Sequence, residues 1–163
     1  SQKHSLMPTR YCKWVTVSGV SGGCSTNYPE PFASRMTGRE KKPLGDPFGL
    51  SQFGVNLTTL SPGAVSALHH RHSKQDEWVY VVSGEVTLYV GDENYLMRPG
   101  MCAGFRANGM AHHLQNNSAA DATIIEVGSR VSGDAVSYAT DDLVAVMGSN
   151  GQWGFQHKNG EPY

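Results

Sequence analysis

The sequence predicts an all-β fold, a sandwich or barrel, and three features carry that expectation. Between Gln52 and Val127, short runs alternate apolar and polar residues with the period of a strand. The runs break at Gly, Pro, Asn or Ser, as in Ser61-Pro62-Gly63, Ser83-Gly84, Arg98-Pro99-Gly100 and Asn116-Asn117-Ser118. The 19 glycines among 163 residues suit a turn-rich β protein better than a helical one. Runs this short and this closely spaced leave no place for the crossover helices of βαβ units.

Residues 1–50 read as an irregular arm that packs on the barrel or on a partner. Within it, 11–17 (Tyr11-Cys12-Lys13-Trp14-Val15-Thr16-Val17) alternates enough to predict a strand, and 18–25 is a Gly- and Ser-rich loop. Pro29-Glu30-Pro31 favours extended backbone, 32–36 predicts one short helix, and Arg39-Glu40-Lys41-Lys42 reads as a solvated turn. The barrel core is expected over 51–128. Its first strand is 52–60, with Phe53, Val55 and Leu57 on one face. Strands follow at 66–72, 77–82, 85–90, 95–97 and 101–105, then on the segment carrying His112, and at 123–127. Residues 129–163 complete the same domain with a strand near 142–147 and a tail whose Trp153 and Phe155 pack on the barrel.

Composition excludes several classes of function. Hydrophobic residues at 39% and charged residues at 17% describe a chain with one core and a modestly polar surface. With 13 basic and 14 acidic residues the net charge is −1, which gives no electrostatic reason to bind nucleic acid or an anionic membrane. No apolar run approaches a membrane span. The opening Ser-Gln-Lys-His has no apolar leader core, and a cytoplasmic location is expected. Cys12, Cys24 and Cys102 are too few for a disulfide framework. Cys102 is expected as a buried free thiol, and spacing alone leaves the pairing of Cys12 with Cys24 open.

The chemistry centres on 63–84. His69, His70 and His72 crowd together there, and Glu77 follows five residues after His72. On a strand, His70 and His72 share one face with Leu68, while His69 and Arg71 face the other way. Ser73-Lys74-Gln75-Asp76 reads as a turn, so a hairpin would return Glu77 beside His70 and His72. Two imidazoles and a carboxylate meeting at one point are a candidate metal site. After the Asn108-Gly109 turn, His112, Leu114 and Asn116 share a face, and the apolar Leu114 assigns His112 inward.

These residues carry a family resemblance. His70-x-His72, then Glu77, then Gly84 resembles the first motif of the cupins, and Pro99-Gly100 through His112-x-x-x-Asn116 resembles the second. The resemblance covers roughly 52–128. The flanking Tyr28-Pro29-Glu30-Pro31-Phe32 and Lys158-Asn159-Gly160-Glu161-Pro162-Tyr163 extend it toward a subgroup of small single-domain bacterial cupins labelled sugar-phosphate-isomerase-like, mostly without demonstrated activity. Two departures stand out. Six residues rather than five separate Gly63 from His70, and the proline before the last histidine is missing. The resemblance implies a double-stranded β-helix, or jelly-roll barrel.

The expected site is one divalent transition metal per chain (Zn, Mn, Ni, Fe or Cu) held by His70, His72, Glu77 and His112. Glu77 is also the candidate catalytic proton acceptor. Arg106, Asn116 and Gln52 are candidate substrate-binding residues, Arg106 because a guanidinium can clamp a carboxylate or phosphate. His69 and His113 are expected to face away from the metal. The expected partners are a small-molecule substrate and a second copy of the chain in a homodimer. A redox-neutral isomerase, epimerase or lyase is the leading reading. An Fe(II) dioxygenase and a non-catalytic binding or sensor module are the alternatives.

Overall fold

The computed structural model describes residues 14–163. Its strands are β1 (Arg39–Pro43), β2 (Phe53–Leu60), β3 (His70–His72), β4 (Glu77–Ser83), β5 (Val86–Val90), β6 (Glu93–Met97), β7 (Cys102–Phe105), β8 (His112–Gln115), β9 (Ala122–Ser129), β10 (Ala135–Tyr138), β11 (Val144–Met147) and β12 (Trp153–Gln156). Among the described residues the helical segments are short 3-10 turns at Val17–Gly19, Ala33–Met36 and Asp46–Phe48. No helix among the described residues is long and apolar enough to cross a membrane.

The strands pair antiparallel in two sheets, ordered β1-β2-β9-β4-β7 and β12-β11-β10-β3-β8-β5-β6. The all-β jelly roll expected from the sequence is therefore present. One core cluster fills one part of the space between the sheets, with Leu60, Val79, Val81, Val86, Leu88, Met97, Leu114 and Ile124 buried together. Full burial of one such aliphatic side chain contributes about 1.5–3 kcal/mol. A second cluster joins Phe32 and Met36 of the arm to Leu68, Val136, Tyr138, Leu143 and Ala145, with Trp153 and Phe155 packed against it. Arm and tail thus share one core, and Phe32 meets Tyr163 edge-on at 5.5 Å between ring centres.

Several local expectations are corrected. β3 and β4 do not form a hairpin: they lie in different sheets, and 73–76 carries the chain from one to the other. On β2, whose Phe53, Val55 and Leu57 are expected only to share a face, the inward face is that of Gly54, Asn56, Thr58 and Leu60, and Phe53 is exposed. The inner face of β2 runs from the core, at Leu60, into a polar cavity, at Asn56. Arg39-Glu40-Lys41-Lys42 is not a solvated turn but most of β1, paired with β2 from Arg39↔Leu60 to Pro43↔Asn56. Residues 14–16 form no strand and Val17 begins a 3-10 turn; Tyr11, Cys12 and Lys13 lie outside the described residues. Cys102 is an exposed thiol on the edge strand β7, and Cys24 is exposed as well.

Candidate metal centre

The centre lies where the two sheets face each other. β3 sits between β10 and β8, and His70 is the direct cross-strand partner of both Tyr138 and His112. Backbone pairing therefore places the imidazoles of His70 and His112 side by side, with ring centres 4.8 Å apart. Glu77 opens β4 in the opposite sheet and reaches across. Its Oε2 lies 2.9 Å from His112 Nε2 and 3.2 Å from His70 Nε2. Its Oε1 lies 3.5 Å from His72 Nε2. His70, Glu77 and His112 offer ligand atoms all within 4.8 Å of one another, a group able to hold a metal ion.

Each imidazole is oriented from behind. Nδ1 of His70 meets the carbonyl of Leu68 at 2.7 Å, Nδ1 of His112 meets that of Met110 at 3.4 Å, and Nδ1 of His72 meets Asp134 Oδ2 at 2.5 Å. An acceptor on Nδ1 makes that nitrogen the donor and turns the Nε2 lone pair toward the centre. Asp134 is fully buried and also accepts from Ser73 Oγ and the Lys74 amide, so its position is fixed. Phe105 lies flat against His112, with ring centres 3.5 Å apart and planes 3° from parallel.

Three inward lone pairs facing one carboxylate repel unless a cation or protons lie between them. With protons in those gaps, burial alone would raise the Glu77 pKa, but the hydrogen bonds that His112, His70 and His72 then donate outweigh it and hold the carboxyl far below the usual range. Burial depresses His112, against the pull of Glu77. For His72 burial works the same way, but Glu77 and Asp134 outweigh it and raise the group. A permanent anion beside an imidazole that resists protonation fits a divalent cation, and nitrogen with oxygen donors suits the first-row transition metals.

The centre opens into a cavity of about 610 Å³ between the sheets. Arg39 and Lys41 of β1, Asn56 of β2, Glu126 of β9, Tyr138 of β10, and Tyr28 of the arm line it. The structure puts the three expected substrate contacts elsewhere. Arg106 is exposed, and its carbonyl closes the turn to Gly109. Gln52 is exposed and its carbonyl accepts from the Arg130 amide. Asn116 is fully buried but its side chain is taken up by backbone carbonyls, with Nδ2 2.7 Å from both Leu60 O at the end of β2 and Ala120 O. It shares a face with His112, but Leu114, between them, already lies in the core, so that face has left the cavity by Asn116.

His69 and His113 do face the other way. Their Nδ1 atoms meet at 2.8 Å, and His113 stacks on Tyr89 at 4.7 Å. Sequence reasoning missed Asp134, Tyr28, Tyr138 and Arg39. Asp134 carries no local signal, since its link to His72 spans 62 positions. The alternation of Arg39 and Lys41 in a charged run was the one available sign of a strand with an inward cation.

Comparison with known proteins agrees with this fold. A family model described as "Cupin domain" matches residues 56–128. A sugar phosphate isomerase of the cupin superfamily from Silicibacter pomeroyi is 36% identical, with a TM-score of 0.87 over 93% of this chain and 96% of that one. A candidate sugar phosphate isomerase from Acidithiobacillus ferrooxidans is 31% identical, with a TM-score of 0.69 over 74% of this chain and 77% of that one. A polyketide cyclase from Streptomyces resistomycificus, 18% identical with a TM-score of 0.61 over 73% of this chain and 80% of that one, shares the fold alone. A search of curated proteins finds no match.

Proposed function

This chain belongs to the cupin superfamily, and from that premise we propose that it is a metal-dependent, redox-neutral enzyme of the isomerase, epimerase or lyase type. Its substrate is a small oxygenated molecule, a sugar, sugar phosphate or hydroxy acid. One observation carries the reading: inward nitrogens of His70, His72 and His112 meet Glu77 at the wall of a cavity of about 610 Å³, large enough for such a molecule. The name sugar phosphate isomerase on two relatives favours a phosphorylated sugar among these classes.

His70, His72, Glu77 and His112 hold one divalent transition metal. When bound, it supplies Lewis acidity to adjacent substrate oxygens. The protein residues divide the remaining work. Asp134 holds His72 in the tautomer that presents Nε2. Burial raises the phenols of Tyr28 and Tyr138 above their ordinary range, so both stay protonated, and of this hydrogen-bonded pair the one whose O–H is not given to its neighbour can donate to a substrate oxygen. Glu77 accepts a proton only after leaving the imidazoles, because a carboxylate so stabilised is a weak base. Oε1, held only by the 3.5 Å contact to His72, is the oxygen freer to do so.

The test begins with the metal content of protein purified without added metal, then of His70→Ala and His112→Ala. Near-stoichiometric metal in the wild type and its loss in both variants are expected; metal retained in both overturns the site. An anaerobic assay on sugars, sugar phosphates and hydroxy acids then tests the chemistry. Glu77→Gln should lose activity far beyond its loss of metal. Turnover that requires and consumes O₂ replaces this mechanism with a dioxygenase, and saturable ligand binding without turnover replaces it with a binding module.

A further inference from the structure

Arg39 is the unexplained charge of this cavity. It is 6% exposed, lines the cavity that holds the metal centre, and sits in a strand paired on one side with β2. Among the described residues its one side-chain hydrogen bond runs from Nη1 to the carbonyl of Ser66 at 2.8 Å. Its Nε is buried and has no partner among the described residues. No ion pair among the described residues includes it. The other cavity cations are already answered: Lys41 pairs with Glu126 at 3.0 Å, and Arg130 with Asp46 at 3.4 Å.

A guanidinium stays charged and offers five N–H donors in a planar fork, matched to two oxygens of one anion. A buried charge without a counter-charge is costly, so such groups are found where a ligand completes them. The carbonyl of Ser66 turns the fork without neutralising it, and Ser66 is itself anchored to Leu114 of β8, through its amide at 2.8 Å and its Oγ at 3.0 Å. The arginine is thus held by the strand that carries His112.

We propose that Arg39 is the specificity-determining residue of the cavity, receiving an oxyanion, a phosphate or a carboxylate, carried by the substrate. This deepens, and rests on, the reading of the cavity as a substrate site. A neutral sugar leaves Arg39 unanswered; a sugar phosphate or a sugar or hydroxy acid answers it while other oxygens of the molecule face the metal centre.

The experiment uses protein stripped of metal by a chelator, so that it stands apart from failure of the metal chemistry. Calorimetric titration with inorganic phosphate and, separately, with malonate should show saturable binding of at least one of them at one site per chain. Preference for phosphate assigns a phosphomonoester substrate, and preference for malonate a carboxylate one. Arg39→Met should weaken that binding at least tenfold, and Arg39→Lys should restore part of it. Equal affinity in Arg39→Met and wild type, or no saturable binding of either anion by wild type, overturns the proposal. A readout on the wild type covers the case in which Arg39→Met does not fold. In nitrogen-15 spectra the Arg39 Nε–H resonance, assigned by its loss in Arg39→Lys, should shift with anion occupancy; a resonance that stays in place overturns the proposal too.

Discussion

Asp134 shows how much one residue outside the metal group decides. It has no exposed surface, yet it fixes His72, Ser73 and the Lys74 amide at once. Asp134→Asn keeps the shape and weakens the hold on His72 Nδ1; metal affinity is expected to fall about tenfold to a hundredfold, read by competition with a chromogenic chelator. Asp134→Ala also leaves Nδ1 of the half-buried His72 without its acceptor and should cost about 1–3 kcal/mol of stability, read by urea unfolding. His69→Ala is the contrasting control. Its ring faces away and bonds to His113, so metal content should stay near that of wild type. Full loss of metal in His69→Ala contradicts the observed strand parity.

At the scale of the element, turns and clamps hold strands in register. Gly84 ends β4 at a φ of +72°, and a Cβ there would lie 2.6 Å from the carbonyl of Asp121. Gly84→Ala combines a left-handed backbone with a clash against backbone, and should cost about 1–3 kcal/mol from the conformation alone, measured in urea. The C-terminal strand depends on Asp142, which accepts from the Lys158 amide and His157 Nδ1, both at 2.9 Å. The Lys158 amide first, then His157, holds this carboxyl below its ordinary value of 3.8. A folded pKa below the unfolded one gives stability that is present above the ordinary value and lost as pH falls through the folded value. Amide exchange at Lys158, corrected for its intrinsic pH dependence, should therefore accelerate below about pH 4. In Asp142→Asn the exchange should be fast at neutral pH and lack this transition.

For the whole molecule, a homodimer is the expected state. Trp14 is 81% exposed and Val15 44% on the arm, and Tyr95 and Leu96 are exposed on the edge strand β6. Apolar groups on an arm and beside an open strand edge are what a second copy covers. Light scattering at micromolar concentration should give twice the chain mass, and a strict monomer refutes the idea. The two sheets also explain why the cavity holds both charge and chemistry. One sheet brings the imidazoles of His70, His72 and His112, and the other brings Glu77, Arg39, Lys41 and Glu126.

The sequence by itself determined the fold class, the position of most strands, and the parity of His70, His72 and His112 against His69 and His113. Strand alternation, Gly and Pro breaks, and side-chain parity are local properties of the chain. Only the tertiary structure decided which faces meet. It made Glu77 an arrival from the opposite sheet instead of a hairpin neighbour, and it turned the charged run at Arg39 into the inner wall of a cavity. It tied Asp134 to His72 and moved Arg106, Gln52 and Asn116 off the cavity wall. Those facts depend on sheet order and on pairings between residues tens of positions apart. No local pattern encodes them, because two sheets packed face to face choose their contacts by burial across the gap between them.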